Sequence, residues 1–239
     1  MSLVSLTGGS LILANGTLNA SGAVNLEGLT VQANGSLTAG SLVVGGAASL
    51  GANLTTTGAQ TFNGALTLLG DITLSGGSLN LNNTVDGAFG LTLNSAGLTT
   101  IGGAIGSGTA LTSVMSTGGG TTNLKGQITA VNSITLTDLL NLTGNAILTT
   151  TSPTGAVNLA AVEGGYGLTV NSAGLTNLQG AIGAATALAS LTTNTGGTTQ
   201  LGANVTTTGI QTFNDAIVLT NSVTASGANL TFANTIDGG

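Results

Sequence analysis

One phrase constrains this chain more than any other. "TTTGAQTFNGA" (Thr55–Ala65) returns as "TTTGIQTFNDA" (Thr206–Ala216), with a degenerate middle copy, "TAVNSITLTDL" (Thr129–Leu139). The copies begin at nearly even offsets, 129 − 55 = 74 and 206 − 129 = 77. A longer match keeps the second offset: "GLTLNSAGLTTIGGAIGSGTALTS" starts at Gly90 and "GLTVNSAGLTNLQGAIGAATALAS" at Gly167, and 167 − 90 = 77. Self-similarity at a fixed period marks a repeat architecture, in which each unit buries its apolar side only against its neighbours.

A shorter period lies beneath the long one. "ANG" begins at Ala14 and at Ala33, and Leu54, Leu74 and Leu93 recur at almost the same interval. The long repeat therefore reads as four rungs of about 19 residues. Inside the rungs, "LTLN" (Leu91–Asn94), "SITLTDL" (Ser133–Leu139) and "AVNL" (Ala156–Leu159) place an aliphatic residue at every second position. That is the alternation of half-buried strands, cut into short runs by Gly and Asn. The only stretch with a helical period is "SGTALTSVM" (Ser107–Met115), and its Gly, Ser and Thr disfavour a helix.

These features predict an all-β chain folded as a parallel β-helix solenoid with rungs of about 19 residues. Residues 1–239 form a single solenoid, with 1–50 as divergent rungs and 51–124, 125–201 and 202–239 as successive long repeats, the last incomplete. A hairpin sandwich is the rival, because "NG" at Asn15, Asn34 and Asn63 is a hairpin signal. A sandwich does not account for a repeat that persists along the chain. The last residues, "TIDGG", fall in mid-repeat, which reads either as a fragment or as an end covered by another subunit.

The differences among the three copies indicate what each position does. Gly58 and Gly209 become Asn132, which reads as a turn with positive φ. Phe62 and Phe213 become Leu136, an apolar plug in all three. Gln60 and Gln211 become Ile134, so the Gln is not a fixed functional group.

Composition excludes several functions. Charged residues are 3% of the chain, with Lys125 the single base and no His, Arg or Cys. Nucleic-acid binding needs bases to neutralise phosphate, so it is excluded as a partner class. No disulfide or thiolate chemistry is possible. No apolar run approaches a membrane span, and "MSLVSLTGG" lacks the basic and apolar regions of a signal peptide, so it reads as the start of a mature segment.

The acids give the best candidate site. Asp86 in "TVDG", Glu163 in "AVEG" and Asp237 in "TIDG" occupy one repeat position. A periodic cation or ligand site is one reading. The plainer one is a solvated corner acid before Gly. Four rungs between successive members would put them about 19 Å apart, too far to share a metal or act as a catalytic pair. Asp138 and Asp215 share another repeat position and read the same way. Nucleophilic catalysis needs a base beside the nucleophile, and this composition offers none. The expectation is no enzyme, no cofactor and no metal site.

Thr runs at Thr55, Thr149 and Thr206 raise ice binding, because a Thr ladder on a solenoid can order water. They recur at the long period and not at every rung, so ice binding is a minor reading. Asn-x-Ser/Thr sequons at Asn15, Asn19, Asn34, Asn53, Asn82, Asn141, Asn204 and Asn229 allow glycosylation, and inward Asn ladders are an equal use for these residues.

The phrases "TTTGAQTFNGALTL", "TVDGAFGLTLNSAGLTT", "GGAIGSGTALTS" and "GGTTQLGANVTTTG" resemble the β-strand repeats of large bacterial surface proteins, the filamentous-haemagglutinin-like exoproteins and autotransporter-type adhesins. The resemblance spans about Gly51 to Gly239. It implies a right-handed β-helix and a secreted or surface-displayed stalk that serves adhesion or biofilm cohesion. The implied partner is a host or neighbouring-cell surface or glycan of unknown identity. The alternative is a filament or sheath subunit that associates with itself end to end.

Overall fold

A computed structural model describes residues 2–238, apart from the side chains of Ser2 and Leu3. The chain folds as two compact units, Met1–Thr121 and Thr122–Gly239. Each is a parallel β-solenoid. Among the described residues there is no helix, and "SGTALTSVM" contributes to the strand Leu111–Thr117.

The first unit has three strand stacks. The first face runs through Thr17–Ala20, Ser36–Ala39, Leu54–Thr56, Ile72–Gly76, Gly90–Ser95 and Leu111–Thr117, each paired parallel with the next. The second runs through Ser41–Val44, Ala59–Phe62, Ser78–Leu81 and Leu98–Ile101. The third runs through Ala48–Leu50, Leu66–Leu68 and Val85–Asp86. Because side chains alternate across a strand, every second residue points inward and stacks on its counterpart one rung away. On the second face that column is Val24, Leu42, Gln60, Leu79 and Thr99. All five are buried. Each fully buried aliphatic side chain contributes about 1.5–3 kcal/mol, so stacked columns are the main source of stability.

The second unit has the same plan. One face carries Ile134, Val157, Thr176, Thr199, Ile217 and Ile236 in register. The next carries Leu140, Val162, Ile182, Val205 and Ala225. The third carries Ala146, Leu168, Leu191, Gln211 and Leu230.

This register corrects the four-rung reading of the long repeat. Ile134 and Gln211 hold one repeat position, yet Ile134 lies on the first of these faces and Gln211 on the third. Val162 and Ile236, also repeat equivalents, lie on the second and first. The repeat therefore spans eleven strand segments, or three and two-thirds turns, and each copy is rotated by one face. Division into four equal rungs fails because rungs vary in length. The column Val24, Leu42, Gln60, Leu79 and Thr99 is almost evenly spaced along the chain. The column Ile134, Val157, Thr176 and Thr199 alternates wide and narrow intervals, with 157 − 134 = 23 and 176 − 157 = 19.

The positive-φ reading of Gly58, Asn132 and Gly209 is also corrected. Among the described residues only glycines have positive φ, and neither Gly58 nor Gly209 is one of them. Asn132 lies exposed within the strand Thr121–Leu136. Glycine is used at the other two positions because the chain of the preceding rung passes close by. A Cβ at Gly58 would lie 2.8 Å from the Gly40 carbonyl oxygen, and one at Gly209 would lie 2.5 Å from that of Ala189. Gly58→Asn, which copies the middle repeat, is therefore expected to destabilise the chain by about 1–3 kcal/mol. Urea unfolding measures this, and a neutral result would rule out the close-approach account.

Candidate functional site

The most site-like feature is a corner that recurs in each unit. In the first unit the strand Val85–Asp86 ends at the acid, and Gly87 follows with φ of 135°. Asp86 Oδ1 accepts the N–H of Gly108 at 2.7 Å and of Thr109 at 3.0 Å. In the second unit Glu163 ends Val162–Glu163, and Gly164 has φ of 117°. The Glu163 carboxylate accepts the N–H of Ala185 at 3.1 Å and of Thr186 at 2.6 Å. Only glycine adopts such φ values cheaply, so an acid–Gly pair can turn the chain and hold the loop of the following rung. An exposed aromatic sits beside each corner, Phe89 at 37% and Tyr166 at 44% exposure.

The acid is thus more than a solvated corner residue. It satisfies backbone donors in the loops of the longer rungs. One oxygen of Asp86 and both oxygens of Glu163 are engaged with these loop N–H groups. Asp237, the third member, lies exposed in Ile236–Gly238. In the second unit Glu163 and Asp237 follow residues on different faces, so these acids form no row. Among the described residues no group of three or more His, Cys, Asp or Glu is placed to hold a metal.

Asp138 and Asp215 are not solvated, contrary to expectation. They are 2% and 1% exposed. Asp215 Oδ1 accepts the Gly197 N–H at 2.9 Å, and Oδ2 accepts the Thr199 hydroxyl at 3.0 Å. Desolvation by burial pushes the Asp215 carboxyl above its ordinary value, opposed by these two hydrogen bonds.

The phrase from which the repeat was recognised has a structural use in each unit. Phe62, Leu136 and Phe213 are buried. Phe213 stacks on Phe232 with ring centroids 5.6 Å apart. Gln60 and Gln211, read from sequence as not a fixed functional group, are wholly buried and staple corners. Gln60 Nε2 donates to the carbonyl of Leu54 at 3.3 Å and, one rung on, of Ser75 at 2.7 Å. Gln211 Nε2 donates to those of Val205 at 3.2 Å and Ser226 at 2.7 Å. The signal was present in the sequence: each Gln stands two residues before a Phe, so both point to the same side of the strand.

The Asn ladders lie outside, not inside. Asn34 Nδ2 donates to Asn15 Oδ1, Asn82 to Asn63, and Asn141 to Asn123, at 3.2, 2.8 and 2.8 Å. Several sequon residues are therefore already tied to the neighbouring rung. The groove lined by Leu201, Ile217, Leu219, Val223, Ala225, Phe232 and Ile236 holds about 120 Å³. Other depressions are larger, about 420 Å³ beside Asp71 and Thr92 and about 560 Å³ beside Leu219 and Asn221, within the ~300–1,000 Å³ usual for small-molecule pockets.

No protein-family model, curated protein sequence or solved structure matches the chain. The likeness to bacterial surface exoproteins rests on the quoted phrases and on a fold consistent with them.

Two outcomes follow from these contacts. Glu163→Ala should speed amide hydrogen exchange at Ala185 and Thr186 while leaving strand amides protected. The raised Asp215 value means that the folded chain holds a proton which the unfolded chain has released. Its contribution to stability is therefore greatest in acid and is lost as pH rises from the ordinary carboxylate range through the raised value. Asp215→Asn should remove that part of the pH dependence, as read by urea unfolding from about pH 3 to 8.

Proposed function

We propose that this chain is a structural stalk segment of a secreted or surface-displayed bacterial protein, serving adhesion or biofilm cohesion by projection and without catalysis. One observation carries the reading. In each unit, the strand pairings among the described residues join a rung to the rungs before and after it. Such a fold can be lengthened without altering what is already there.

The polar side chains support the same reading. Gln60 and Gln211 fasten corners, Asp86 and Glu163 hold loops, and Asn pairs bridge rungs on the outside. The carboxylates of Asp71, Asp86, Glu163 and Asp215 are engaged in holding one turn to the next. The surface partner, the bacterial source and the extracellular location come from the resemblance of the repeat phrases.

Immunogold labelling of intact source cells with antibody to this chain tests the proposal. Label on the outer surface or in the extracellular matrix is expected. Label confined to the cytoplasm would overturn it.

A further inference from the structure

The register of the first unit brings together an array that the sequence does not display. On its first face, each of five successive rungs has a short uncharged polar residue on either side of an inward Leu. The pairs are Thr17 and Asn19, Ser36 and Thr38, Asn53 and Thr55, Thr73 and Ser75, and Thr92 and Asn94. Strand pairing aligns Asn19, Thr38, Thr55, Ser75, Asn94 and Thr117 in one continuous outer row. Thr17 pairs with Ser36, and Thr73 with Thr92, in the row beside it. Met115 ends that second row.

Two spacings define this surface. Successive rungs lie about 4.8 Å apart, and the two rows, two residues apart along each strand, are separated by about 6.7 Å. No Asp, Glu or Lys stands in either row. The side chains are short except for Met115 at the end of the second row. Asp71 stands outside the rows but shares a depression with Asn53, Thr73 and Thr92 of the second row, where its Oδ1 accepts the Gly90 N–H at 2.7 Å.

The other outer rows of this unit differ. On the second face, Thr61 and Asn80 bond each other at 3.3 Å, and Val43 interrupts the row. On the third face, the row through Ser49 and Thr67 ends at the charged Asp86.

The geometry points to the first face of this unit as an ice-binding surface. A rigid two-dimensional lattice of methyls, hydroxyls and amides can hold water in an ordered layer that merges with an ice face. A charged row would instead hold a hydration shell of its own. The spacing is set by backbone register and needs no ordering of the protein on contact, so little conformational entropy is lost on binding. This occupant is chosen over a soluble ligand because the surface repeats in two directions and carries no charge in its rows. The Thr triplets that first suggested ice contribute only Thr55. The array depends instead on which residue each rung places outward.

Nanolitre osmometry and ice-recrystallisation assays on the full chain test the inference. Measurable thermal hysteresis with faceted ice crystals is expected. Thr55→Tyr, in the middle of the array, should abolish most of the hysteresis. Thr67→Tyr, outward on the third face, should leave it unchanged. Circular dichroism of both variants verifies that the solenoid is intact. Absence of hysteresis, of ice shaping and of recrystallisation inhibition in the folded chain would overturn the inference. So would equal loss in the two variants. Sedimentation with crystalline cellulose or chitin in the absence of any ice activity would assign the face to a polysaccharide instead.

Discussion

Everything in this molecule depends on parallel, in-register pairing of one rung with the next. The backbone donors and acceptors of a short strand are satisfied only by its neighbours above and below. That pairing brings like positions together, so an aliphatic residue in one rung meets an aliphatic residue in the next. Leu18, Leu37 and Leu54 stack this way on one face, and Leu168 and Leu191 on another. The core is therefore a set of columns, and the chain needs neither long-range loops nor charge pairs to hold it.

The same constraint explains how the polar residues are used. The Thr99 and Thr176 hydroxyls are buried in their columns without a hydrogen-bond partner, but other polar members find one in an adjacent rung. Gln60 and Gln211 do so through main-chain carbonyls at corners, and Asp215 does so through Gly197 and Thr199. Asp86 and Glu163 act on the outside, where rungs lengthen and loop N–H groups would otherwise bond only to water. Asp71, Asp86, Glu163 and Asp215 are placed where the backbone needs an acceptor.

The rotation of the long repeat has a functional consequence. Equivalent residues in successive copies of the second unit fall on different faces, so the long repeat cannot build a row of identical groups along one side. Rows arise instead from unlike parts of the sequence that share a register. Thr38, Thr55 and Ser75 are neighbours for that reason, although a whole turn of chain separates each from the next and they belong to dissimilar phrases.

Much of this was legible in the residues themselves. The alternation of Leu, Ile and Val with Thr and Asn specified short strands with one face inward, and the repeats specified a solenoid. The plugs Phe62, Leu136 and Phe213 followed from the same alternation. The number of turns in a repeat did not, because rungs are unequal in length and only pairing reveals where each one closes. Nor did the reason for Gly58, which depends on the Gly40 carbonyl of the preceding rung. The burial of Asp215 was hidden as well: its partners Thr199 and Gly197 are remote along the chain until it has wound once around. The sequence by itself determined that this chain would coil into stacked short strands, since that information is local and periodic. The tertiary structure alone decided which residues share a face, because that depends on the summed lengths of every corner and loop between them.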